Sequence, residues 1–75
     1  MYIGEDVVAI CKETFNVIEI YGFGKYNGID DESGKYIVKF SDGETRLCIR
    51  VVPVNFWAEY VDDRCAEVLN IEGKM

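Results

Sequence analysis

The chain is predicted to be α+β and mostly β: a small antiparallel sheet or barrel of about four strands followed by a C-terminal amphipathic helix. Three observations carry this reading. Asp42-Gly43 joins two runs rich in β-branched and aromatic residues, as a tight hairpin requires. Gly22 and Gly24 interrupt an apolar run, the mark of a bulged or bent strand. After Pro53 the apolar period lengthens from that of a strand to that of a helix.

Taken in order, residues 2–11 fit two patterns. Val7, Ile10, Cys11, Thr14 and Phe15 have helical spacing, with Glu5-Asp6 suited to a helix N-terminus. Val7, Val8 and Ile10 are β-branched, however, and Ile3-Gly4-Glu5-Asp6-Val7 reads as a turn entering a strand, which is the assignment preferred here. A second strand covers Val17 to Tyr26, and Asn27 to Gly34 forms a polar loop. The hairpin follows, from Lys35 to Ser41 and from Glu44 to Val52, with Pro53 ending it because proline has no N–H for a ladder. From Asn55 to Leu69, Trp57, Val61, Cys65 and Val68 share one helical face. Asn55 is the expected N-cap, with Asn70 or Gly73 at the C-terminus.

Gly4-Glu5-Asp6-Val7, Gly22-Phe23-Gly24 and Tyr36-Ile37-Val38-Lys39-Phe40-Ser41-Asp42-Gly43 together resemble a small SH3-like or Tudor-like barrel over about two-thirds of the chain. The resemblance implies a module that binds peptides, modified lysines or nucleic acids. It also implies that Tyr21, Phe23, Tyr26, Tyr36 and Phe56 could box a methylated ammonium, although five such aromatics also suit a core.

Seventy-five residues with 49% apolar content make one domain, residues 1–75, with a core small enough to welcome a partner or a homodimer. No apolar run is long enough to span a membrane and no secretory leader is evident. Cys11, Cys48 and Cys65 are odd in number and form no CxxC pair, and histidine is absent. A disulfide framework, a zinc site and the usual general base are therefore not expected. The three cysteines read as small core hydrophobes in a cytoplasmic protein. No catalytic residue, metal or cofactor is assigned. Asp30-Asp31-Glu32 lacks the alternating oxygen ligands of a calcium loop, and Gly22-Phe-Gly24-Lys-Tyr-Asn-Gly28 misses dinucleotide-loop spacing by one residue.

Fourteen acidic against eight basic residues give a formal charge of −6, which disfavours direct nucleic-acid binding and suits a protein partner with a basic surface. Two local patterns sharpen this. A two-residue turn at Asp42-Gly43 pairs Phe40 with Thr45, Val38 with Leu47 and Tyr36 with Ile49 on an apolar face. The other face then carries Lys39 with Arg46, Ile37 with Cys48 and Lys35 with Arg50. Such like-charge pairs need compensation from nearby acids or from an anionic ligand, for instance a nucleotide, assisted by Tyr21, Phe23 and Lys25 on strand two. A three-residue loop with a Gly43 bulge dissolves that basic face. On the helix, Glu59, Asp63 and Glu67 fall at i, i+4 and i+8 beside Asp62, a stripe that opposes helix stability and so serves solubility or a basic partner, with Phe56 as an anchor.

The sequence therefore points to a non-catalytic binding protein, in its most concrete form a small acidic inhibitor of the type phages direct at host defence or nucleic-acid-handling proteins. The alternatives are a nucleotide-sequestering protein using the basic hairpin face and a Tudor-like peptide reader.

Overall fold

The computed structural model describes the backbone of residues 1–74 and the side chains of residues 1–71. Six strands and one short helix follow each other as β1 (Asp6–Glu13), β2 (Val17–Ile29), β3 (Tyr36–Lys39), β4 (Thr45–Cys48), β5 (Arg50–Pro53), a 3₁₀ turn (Val54–Phe56), α1 (Trp57–Arg64) and β6 (Glu67–Lys74). The fold is mostly antiparallel sheet, in the order β4-β3-β2-β1-β5, with β6 added to β2 as a parallel strand. β4 and β5 are one chain segment broken at Ile49. Its first half pairs with β3 and its second with β1, and Ile49 N–H donates to the Ile10 carbonyl at 3.1 Å. No ladder joins β4 to β5, so the sheet does not close into the expected barrel, and its strands number six rather than four.

β1 is buried on both faces. Val7 and Ala9 belong to a first cluster with Val38, Phe40, Cys48 and Val51. Val8 and Ile10 belong to a second with Ile18, Ile20 and Val52, covered by Trp57, Tyr60, Ala66 and Val68. All four β1 residues are 0% exposed. Burial of each large aliphatic side chain contributes about 1.5–3 kcal/mol, so β1 anchors both layers.

Two bulges set which way β2 faces. Gly22 pairs with Ala9 and Ile20 with Ile10, leaving Tyr21 as an extra residue; Cys11 is the corresponding extra residue of β1. Gly22 takes φ 135°, open to glycine alone at low cost. The consequence is that Tyr21 packs on the first cluster and Phe23 on the second, although two residues apart. The expected common face of Tyr21, Phe23 and Lys25 is therefore split.

The hairpin turns through three residues, Ser41, Asp42 and Gly43. Gly43 N–H donates to the Phe40 carbonyl at 3.0 Å and Phe40 N–H to the Glu44 carbonyl at 2.8 Å. Only Gly43 has positive φ, and Asp42 Oδ1 accepts the Glu44 N–H at 2.9 Å. A type I′ turn would force Asp42 to positive φ and forfeit that bond. The register therefore slips by one from the two-residue expectation: Lys39 faces Thr45, Val38 faces Arg46, Ile37 faces Leu47 and Tyr36 faces Cys48. Val38, Phe40 and Cys48 enter the core, while Leu47 and Ile49 are exposed.

The helix is half the expected length. Asn55 lies in the 3₁₀ turn and does not cap; Phe56 occupies the N-cap without a side-chain hydrogen bond. Cys65 adopts the left-handed conformation (φ 49°). Its N–H donates to the Asp62 carbonyl and that of Ala66 to the Val61 carbonyl, a Schellman stop. Residues 67–74, including Asn70 and Gly73, belong to β6 instead. Of the three cysteines only Cys48 is a core residue, and burial pushes its thiol up to about 12. Cys11 is half-buried and Cys65 exposed, contrary to the core assignment for all three.

Two stability changes follow. A Cβ at Gly24 would sit 2.6 Å from Val38 Cγ1 and 2.8 Å from the Lys39 carbonyl oxygen, so Gly24→Ala should cost about 1–3 kcal/mol in urea unfolding. Cys65→Gly relieves the left-handed strain at an exposed position and should raise stability by about 0.5–1 kcal/mol in the same measurement.

Candidate functional site

Glu13, at the end of β1, gathers three partners while 9% of its side chain remains exposed. Its Oε2 accepts the Tyr60 hydroxyl at 2.5 Å and Arg64 Nε at 2.7 Å, and its Oε1 accepts Arg50 Nε at 3.1 Å. One carboxylate thus ties β1 to β5 and α1. The Arg64 guanidinium also lies over the Tyr60 ring, 4.8 Å from its centroid, and Trp57 stacks on Tyr60 at 6.0 Å. Burial, then the bond to Glu13, raises the Tyr60 phenol above its ordinary value. Sequence reasoning gave Glu13 no role, because Arg50 and Tyr60 lie 37 and 47 residues away, Arg64 lies farther still, and no local pattern links them.

This node shapes the surface of α1. Arg64 is the helix's one base, and it is turned towards Glu13. Glu59, Asp62 and Asp63 are all exposed, and among the described residues none forms an ion pair. Phe56 is 56% exposed at the start of α1. The structure thus keeps Glu59, Asp62, Asp63 and Phe56 on the helical segment. Glu67 leaves the expected stripe, because it opens β6.

The basic hairpin face is not assembled. Arg46 points to the inner side, 2.6 Å from Glu44 and 5.1 Å from the Tyr21 ring centroid. Arg50 is bound to Glu13, and Lys35 lies exposed in the loop before β3. The like-charge pair that does form is a different one: Lys25 of β2 faces Lys39 of β3. Asp6, opposite Lys25 on β1, holds its ammonium at 2.5 Å. Phe23, Lys25 and Lys39 thus converge, and they line a pocket of about 490 Å³ together with Asp6, Ser41 and Val54.

The aromatic cage is likewise dispersed. Tyr21, Tyr26 and Tyr36 pack on the first cluster, with Tyr26 and Tyr36 ring centroids 6.2 Å apart; Phe23 lies on the second cluster and Phe56 on the surface. In the acidic loop, Asp30 Oδ2 accepts the Ser33 hydroxyl at 2.8 Å and its N–H at 2.9 Å, which lowers the Asp30 carboxyl pKa. Asp30 therefore builds a turn. Among the described residues no group of three potential metal ligands comes together, and no helix is long and apolar enough to cross a membrane.

Compared with known proteins, the chain matches no family model, no curated protein and no solved structure.

Glu13→Gln keeps the shape but removes the charge that holds two guanidiniums. Because Arg50 and Arg64 are partly solvated, the expected loss in urea unfolding is about 1–3 kcal/mol. The phenol provides an independent check. A group whose folded pKa is raised stabilises the fold fully below its unfolded value, about 10, and loses that contribution as pH climbs through the folded value. Stability should therefore decline above about pH 10, and in Glu13→Gln the Tyr60 titration seen by ultraviolet absorbance should move down towards that ordinary range.

Proposed function

We propose that this chain is a non-catalytic binding protein that covers a basic surface of a protein partner with the acidic outer face of α1. The observation that supports the reading most is the set Glu59, Asp62 and Asp63, exposed and free of ion pairs among the described residues, beside exposed Phe56. Three carboxylates on an eight-residue helix repel one another at i, i+3 and i+4, and Asp62 and Asp63 also oppose the helix dipole. Their arrangement therefore costs helix stability and presents to a partner the charge density that phosphates would present. Phe56 supplies the apolar anchor that a charged patch needs for residence time. In its concrete form the proposal is a small acidic inhibitor, phage-type in character, acting on a host defence or nucleic-acid-handling protein whose basic groove is its target.

Affinity capture from a lysate, followed by direct titration of the captured protein, tests this. Glu59→Lys with Asp62→Lys and Asp63→Lys should abolish capture, and raising salt should weaken it steeply. Phe56→Ala should weaken binding by about 1–2 kcal/mol without altering the salt slope. Capture that survives the triple charge reversal unchanged would sink the proposal.

A further inference from the structure

We infer that the pocket between β1, β2, β3 and the 3₁₀ turn binds a small ligand with an apolar or aromatic body and a single negative charge. The pocket measures about 490 Å³, within the range of roughly 300–1,000 Å³ typical of small-molecule sites. Phe23 and Val54 give it apolar walls, and Lys25 and Lys39 face each other across β2 and β3 at its rim. It shares no residue with the acidic face of α1.

Charge decides the class of ligand. Two directly opposed ammoniums destabilise a sheet unless an anion lies between or beside them. Asp6 serves Lys25, but Lys39 has no ion-pair partner among the described residues. The pocket therefore carries two positive charges against one negative, a surplus of one. Next to it lies a second, smaller hollow of about 330 Å³ that shares Asp6 and Val54 and adds Glu5. Two carboxylates on that side raise the cost of bringing in a polyanion. A di- or triphosphate is thus disfavoured. A phosphodiester or a carboxylate on a flat ring satisfies Lys39, leaves the Asp6–Lys25 pair intact and covers Phe23.

The fold makes this site possible by separating residues that spacing alone would keep together. Strand alternation puts Phe23 beside Lys25, and the Tyr21 bulge sends Tyr21 to the opposite cluster. The slipped hairpin register then removes Arg46 from the side of Lys39 and replaces it with the neutral Thr45. What remains is a compact site of limited charge in place of a broad basic face.

The test is a two-dimensional amide NMR titration of the intact chain with 3′,5′-cyclic nucleotides, aromatic carboxylates and nucleoside triphosphates. The first two should shift Phe23, Lys25, Lys39 and Ser41 with Kd values of roughly 0.1–1 mM, and the triphosphates should bind more weakly. Which of the two monoanions binds more tightly identifies the head group as phosphodiester or carboxylate. Lys39→Ala, at an exposed position, should weaken both about tenfold. Asp6→Asn should reverse the preference towards triphosphates, because it removes a repelling charge and frees Lys25. The inference is overturned if no anion shifts these residues at millimolar concentration. It is equally overturned if Lys39→Ala leaves every affinity unchanged, or if the triphosphates bind best to the unaltered chain.

Discussion

The structure depends on a four-residue stretch of β1 that no water reaches from either side. Val7, Val8, Ala9 and Ile10 are consecutive and wholly buried, so each face of β1 must be covered by a separate layer. One layer is the curved sheet itself, returning through β3, β4 and β5. The other is α1, β6 and the link between them, whose Trp57, Tyr60, Ala66 and Val68 cover Val8 and Ile10. A chain of 75 residues has little apolar surface to spare for this, and the helix must therefore be short enough to leave residues for a sixth strand.

Much of this was legible in the sequence. The β-branched content of β1 and β2, the bulge beside Gly22, the hairpin and the helix start near Trp57 all follow from side-chain preferences that act within a few residues, whereas Gly24 lies in regular strand pairing. What was not legible turns on choices between nearly equal local options. Asp42-Gly43 supports either a two-residue or a three-residue loop, and the Asp42 carboxylate accepting the Glu44 N–H tips the balance. The helix stop at Cys65 is hidden because a cysteine stands where glycine would announce it. Beyond it, Val68 continues the helical apolar pattern and, with Ala66, also fits the alternation of a strand, so periodicity could not separate the two.

The candidate sites inherit those same ambiguities. A one-residue slip moved Arg46 from the outer face to the inner one, and a one-residue bulge parted Tyr21 from Phe23. Residue identities survived while the constellations drawn from them did not: of the seven residues placed on a basic face, Phe23, Lys25 and Lys39 meet at one pocket and Arg46 lies over Tyr21 elsewhere, while Lys35 and Arg50 join neither group. Glu13 illustrates the opposite failure. Its three partners come from β5 and α1, and only the folded chain brings them to one carboxylate.

Glu13 also explains how an acidic chain sorts its charge. Two of its guanidiniums converge on this one carboxylate, Lys25 is held by Asp6, and Arg46 by Glu44. Bases that could have neutralised α1 are thereby used to join layers, and the acids of the helix are left facing solvent. Salt weakens surface attraction far more than it weakens the nearly buried Glu13 contacts. The fold and its acidic face therefore rest on different electrostatic terms. The node rests on a nearly buried carboxylate whose guanidiniums are partly solvated, while Glu59, Asp62 and Asp63 lie in solvent, where Asp62 and Asp63 oppose the helix dipole and Glu59, in the first turn, suits it. Changes made on that face thus leave the layer contacts untouched, and changes at Glu13 report on whether the fold stands.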